Sequence, residues 1–171
     1  MGKMLRGFLV CAVLLSLSAV SLFSQEAEEE GGLPPLHTVI SEEFTLKSLA
    51  GAVEEGRASD IPQDKYLLID GVVSLREVVE PGEEDFFGIL ELSSGSWDGE
   101  GDLDTYRCYF QLYGAKFSGT IPEGRARETS PKEIPLHSHV VAIGKYLGYG
   151  EDEQGNRFPV LEAVMIRSLK N

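Results

Sequence analysis

Apolar positions recur along this chain in two rhythms. Between Ser41 and Gly56, Leu46, Leu49, Ala50 and Val53 return at steps of three and four, which predicts a helix with one buried stripe. Thr45 is placed to cap its start and Gly56 to end it, while Gly51 in the middle costs about 1 kcal/mol against alanine. From Tyr66 the rhythm changes to every second residue. Tyr66 to Val79 reads as a strand with Ile69, Gly71, Val73 and Leu75 on one face, and Gly71 marks a bend or bulge. A Pro-Gly turn over Glu80–Asp85 leads into a strand from Phe86 to Leu92. Ser93 to Asp104 is polar and is expected to be a long loop. Thr105 to Leu112 alternates cleanly, with Tyr106, Cys108, Phe110 and Leu112 on one side and Arg107, Tyr109 and Gln111 on the other. Tyr113 to Leu136, with three prolines, lacks periodicity. Val140–Tyr149 and Phe158–Leu169 are the last two strands, joined by a polar reversal in which Gly155 and Asn156 accept positive φ at low cost.

The order is one helix, three strands, a long crossing segment and a two-strand hairpin. Five strands with a break after the third predict a mainly β fold. The expected form is a five-stranded Greek-key barrel of the OB type with one N-terminal helix. Closure would remove exposed sheet edges. A small β-sandwich is the alternative.

The stretch from Phe44 to Val79 resembles the start of the tRNA-anticodon-like OB-fold family, on the strand Leu68-Ile69-Asp70-Gly71-Val72-Val73 that follows the helix. Tyr106-Arg107-Cys108-Tyr109-Phe110 is similar to that family's third strand, and His137 to Tyr149 to its fourth. The resemblance spans roughly residues 44–169 and implies the barrel. It implies no activity.

The N-terminus has a separate character. Lys3 and Arg6 precede an apolar run from Gly7 to Phe23, and acids follow from Glu26 to Glu30. This is the layout of a secretory signal, residues 1–24, with an uncleaved membrane anchor as the alternative. Residues 25–40, acidic and then rich in Gly and Pro, are expected to be a disordered spacer before an OB domain at 41–171. The expected location is periplasmic or extracellular, or anchored in the inner membrane if the run is retained, with no stable span after cleavage. Removal of residues 1–24 would leave Cys108 as the one cysteine, so no internal disulfide could form. A cysteine inside an alternating strand is expected to be a small buried hydrophobe.

Charge then narrows the function. The chain carries 15 basic and 28 acidic residues, a formal charge of −13. On that balance a nucleic-acid partner is expected to be excluded, since phosphate binding requires clustered Lys and Arg. No nucleophile motif, Cys–His spacing or phosphate-cradling loop is present, so the chain is expected not to be an enzyme. Asp98, Glu100, Asp102 and Asp104 place carboxylates at alternate positions, as a calcium site would require, although the EF-hand pattern fails at its sixth and twelfth positions. No cofactor is expected, with calcium the one candidate. His137 and His139 could begin a zinc site but lack a third ligand at any telling spacing.

An OB barrel offers the outer face of its second and third strands for binding. That face should carry Arg107, Tyr109 and Gln111, with Trp97 in the adjoining loop and Lys145 nearby. The bland alternative packs Tyr109 under the loop and pairs Arg107 with one of its acids. The sequence alone therefore favours an exported, non-enzymatic binding module acting on an unidentified protein or small ligand. The alternatives are a carboxylate-based hydrolase and a divalent-cation-binding envelope protein.

Overall fold

The computed structural model describes residues 36–97, 99–122 and 132–169. The expected signal peptide lies outside them. So does most of the spacer, but its last residues take part in the fold. Leu36–Val39 form a helical turn, α1, and Ile40–Ser41 a two-residue strand, β1, that pairs in parallel with the start of β2. Backbone pairing makes this strand, and two residues show no periodicity in sequence.

The helix α2 spans Leu46–Glu54. Thr45 caps it as expected. Its hydroxyl accepts from the Ser48 N–H, and the Ser48 hydroxyl accepts from the Thr45 N–H, so two otherwise orphaned donors are satisfied. Leu46, Leu49, Ala50, Ala52 and Val53 are buried, and α2 packs against β2, β3, β4 and β6. Gly56 follows with φ +74°, a conformation in which a β-carbon would be strained.

The strands are β2 (Tyr66–Glu80), β3 (Phe87–Trp97), β4 (Leu103–Tyr113), β5 (His139–Glu151) and β6 (Arg157–Ser168). Their order is β2-β3-β4-β6-β5, and β5 returns to pair with β2. The ring is closed, and the fold is an OB-type barrel rather than a sandwich. Every pairing in the ring is antiparallel except β4 with β6, which is parallel over Tyr109–Gln111.

β2 is long because it serves two neighbours. Tyr66–Val72 pair with β5, and Val72–Glu80 pair with β3. The register shifts between Val73 and Leu75, and the extra residue turns Leu75 outward, where it is 39% exposed. The expectation of Leu75 on the inner face fails at this bulge. Gly71 serves close approach instead of a bend. A β-carbon there would stand 3.1 Å from Leu46 Cδ1 and 3.2 Å from Leu92 Cβ, so glycine lets α2 seat on the barrel.

Leu67, Ile69, Val73, Leu90, Leu92, Cys108, Phe110, Leu112, Val140, Ala142 and Leu161 fill the interior with no exposed surface. Phe110 lies against β5, where a β-carbon on Gly144 would come within 2.7 Å of the Phe110 ring and of the Glu162 carbonyl. Cys108 is the small buried hydrophobe the alternation predicted, and burial pushes its thiol pKa upward, away from reactivity.

The largest departure from expectation is at Ser93–Asp104. It is not a loop. β3 runs on through Ser93-Ser94-Gly95-Ser96-Trp97 and β4 begins at Leu103, paired residue for residue. Beyond the barrel wall both faces of this hairpin meet water, so its sequence needs no apolar alternation. The crossing segment after β4 holds a 3-10 turn at Ala115–Phe117, and Phe117, Ile121 and Ile134 anchor its described parts to the core. No helix among the described residues is long and apolar enough to cross a membrane.

Candidate ligand-binding face of strands β3 and β4

The outward residues of β3 and β4 form one stripe in register: Trp97 beside Leu103, Gly95 beside Thr105, Ser93 beside Arg107, Glu91 beside Tyr109, Ile89 beside Gln111, and Phe87 beside Tyr113. Trp97 is 71% exposed, the most open large apolar side chain among the described residues. Leu103 leans across the hairpin toward Gly95, where a β-carbon would meet Leu103 Cδ1 at 3.1 Å. The next rows toward the barrel hold only small side chains, Gly95, Thr105 and Ser93, before Arg107. Four residues of β3 separate Trp97 from the Arg107 row, roughly 13 Å at strand rise.

Arg107 and Tyr109 share the outer face as the alternation predicted. β6 adds a residue that sequence reasoning missed, Phe158. Its ring centre is 4.6 Å from that of Tyr109 at 52°, and 5.3 Å from the Arg107 guanidinium carbon. Arg107 also donates to Asp152 in the turn between β5 and β6. The alternative pairing of Arg107 with an acid is thus realised, but with the β5–β6 turn as the partner. Asp152 holds that turn together by accepting from the Gln154 N–H at 3.0 Å, the Asn156 N–H at 2.8 Å and the Asn156 side chain at 3.1 Å. Desolvation works to raise the Asp152 pKa. The hydrogen bonds from Asn156, Arg107 and Gln154 outweigh it and hold the carboxyl below its ordinary value. Tyr109 is pushed up to about 12, first by desolvation and then by its hydrogen bond with the Glu91 carboxylate.

At the far end Phe87 and Tyr113 stack with centroids 4.6 Å apart and planes within 3°. Gln111 accepts from the Tyr113 hydroxyl at 3.0 Å. Lys145 belongs to this end and not beside Trp97. In register it faces Glu162, which in turn faces Gln111. The Ile89–Gln111 row is eight residues from Trp97 along β3, roughly 26 Å. Lys47 of α2 is the cation near the tip instead. Its Nζ lies 5.1 Å from the Tyr106 ring centre and 3.4 Å from the Ser96 hydroxyl.

The carboxylate site does not assemble among the described residues. Asp98 lies outside them, Glu100 and Asp102 are exposed at the hairpin tip, and Asp104 in β4 accepts from the Tyr106 hydroxyl at 3.2 Å. No group of three His, Cys, Asp or Glu side chains among the described residues could hold a metal ion. His137 and His139 also part company. His137 sits in a turn with φ +64°, and His139 opens β5 with Nε2 3.5 Å from Asp70.

Neither a family model nor a curated relative matches the chain. Solved structures with a similar strand arrangement include a Plasmodium falciparum SSB in complex with ssDNA, at 13% identity and TM-score 0.42, over 61% of this chain and 94% of that one. A Thermus aquaticus single-stranded DNA-binding protein aligns at 13% and 0.38, over 62% of this chain and 49% of that one. A small single-stranded DNA-binding protein from Streptomyces coelicolor aligns at 12% and 0.37, over 61% and 91%. At these scores the likeness concerns strand arrangement alone. Because solved structures with this strand arrangement include single-stranded DNA-binding proteins, the expectation from the acidic composition that nucleic acid is excluded as a partner does not stand, and neither does the reading of the chain as a module for some other ligand, a hydrolase or a cation-binding envelope protein. The physical error lies in the net charge. It sums over the whole surface, whereas contact is made by one face, and charge on the far side is screened beyond a Debye length of about 8 Å at physiological salt.

Proposed function

We propose that this chain binds single-stranded nucleic acid, without catalysing a reaction on it, by laying unpaired bases along the outer face of β3 and β4. The observation that carries the reading is the stripe itself. An open indole at the tip faces a floor of glycine, serine and threonine, and an arginine-backed pair of aromatic rings stands at the other side of that floor. Planar faces separated by a flat floor suit planar ligands strung on an extended chain. Base–aromatic stacking contributes about 1–3 kcal/mol per base and tolerates any sequence. Duplex bases are already stacked and paired, so the face should discriminate against them.

The acidic surface sets the character of the complex. Binding is driven by stacking, involves few phosphate contacts and has a shallow salt dependence. The test is the anisotropy of a fluorescein-labelled oligo(dT) titrated with wild type and with Trp97→Ala. The single strand should bind, a duplex of the same length should bind more weakly, and the variant should lose on the order of tenfold in affinity. Equal curves for the two proteins, or for the two nucleic acids, would remove the stripe as the binding surface.

Membership of the tRNA-anticodon-like family is proposed on the sequence pattern. A secretory signal at residues 1–24, with a periplasmic or extracellular location, is proposed on the charge and hydropathy of that segment. The binding reading depends on neither.

A further inference from the structure

The stripe ends at Tyr113. Three residues on, Lys116 opens a groove of about 420 Å³ between the crossing segment and the end of β6, lined also by Lys132, Glu133, Val164, Met165 and Arg167. It continues the stripe. Glu162 of β6 faces Gln111 in the register of the outer face, and Val164, two residues further along β6, lines the groove.

The charge of this groove reverses that of the molecule. The chain as a whole has 28 acidic residues against 15 basic ones. Among the described residues its lining holds three cations and one acid. That acid, Glu133, is already neutralised, because Arg76 lies 2.9 Å from it with both side chains largely buried. Arg76 is fixed in turn by donating to the Ile134 carbonyl at 2.6 Å. The field inside the groove is therefore carried by Lys116 and Arg167, which come from the crossing segment and from the end of β6. Among the described residues neither Lys116 nor Arg167 forms an ion pair, and the Lys116 ammonium stands 4.9 Å from the Phe117 ring centre. Cations gathered in one concavity repel one another, and a polyanion entering it relieves that repulsion while releasing its own counterions.

We infer that this groove is a phosphate track that takes the backbone of the strand whose bases lie on the stripe. The inference rests on the nucleic-acid reading and adds to it a second, electrostatic site remote from Trp97. Stacking and phosphate contact are then separable. Trp97 contributes affinity with little salt dependence, and the groove contributes the salt dependence.

The experiment uses the full chain and the double variant Lys116→Glu/Arg167→Glu. Both side chains are exposed, and a thermal melt confirms folding. Fluorescein-labelled oligo(dT) and inorganic polyphosphate, which has no bases, are titrated across a salt series. The double variant should bind oligo(dT) at least tenfold more weakly at low salt. The slope of log K against log salt should shrink by about 1.4, from roughly 0.7 per single-strand phosphate contact. Polyphosphate should bind wild type and be lost from the variant, whereas Trp97→Ala should leave polyphosphate binding and the oligo(dT) slope unchanged. If oligo(dT) binds both proteins with one affinity and one slope, the groove is refuted and the stripe stands. If oligo(dT) fails to bind wild type, the base-stacking reading falls and the track falls with it, even where polyphosphate binds. Binding of neither probe refutes both.

Discussion

The two faces of β4 differ in what their residues are for. Cys108, Phe110 and Leu112 point inward and have no exposed surface. Arg107, Tyr109 and Gln111 alternate with them, and each is half-buried. The inner residues are interchangeable in kind, since any set of apolar side chains filling the same volume closes the barrel. The outer ones are particular. Arg107 holds the Asp152 turn, and Tyr109 lies between Glu91 and Phe158. One strand thus places stability on one side and recognition on the other, and substitutions on the two sides should have separable consequences.

The inner face should give the largest effect on stability. Phe110→Ala removes a fully buried ring beside Gly144 and should cost about 3–5 kcal/mol in a denaturant melt. A cost below about 1 kcal/mol would mean that the interior is not packed as described.

The Asp152 turn, which spans the outer face, should give a smaller and pH-dependent effect. The folded Asp152 carboxyl titrates below its unfolded value, so the stability it adds is fully present above the ordinary carboxylate range. That stability drains away as pH falls through the lowered value. Asp152→Ala should therefore melt below wild type at pH 7, and the gap should close in acid. A gap that is constant with pH would separate the turn from the charge. The smallest effect is spectroscopic. Tyr109 should ionise near pH 12, so the ultraviolet phenolate titration of wild type should contain one late step that Tyr109→Phe lacks. Its raised pKa adds stability that is intact below pH 10 and is lost only as pH climbs through about 12.

The inner face was written plainly in the sequence. Alternation in Thr105–Leu112, the stripe of α2 and the Thr45 cap all follow from burial and hydrogen bonding within a few residues, and the structure reproduces them. The hairpin beyond the barrel left no such trace. Ser93–Trp97 is held by β4 backbone, both its faces are wet, and polar strands of that kind cannot be told from loops by pattern. The outer face was half legible. Arg107 and Tyr109 could be placed by parity, but Phe158 and Asp152 arrive from the β5–β6 hairpin about fifty residues later. The groove was hidden altogether, because Lys116, Lys132 and Arg167 form no motif and converge only when the ring closes. Whole-chain charge also pointed away from it.

Trp97 is the chain's one tryptophan and stands at the open end of the outer stripe, so its emission reports directly on the central claim. On titration with oligo(dT) at low salt, stacked bases should quench that emission to a saturating plateau, and duplex of the same length should quench it less. Emission that stays flat while single-stranded DNA is added in excess would contradict the account.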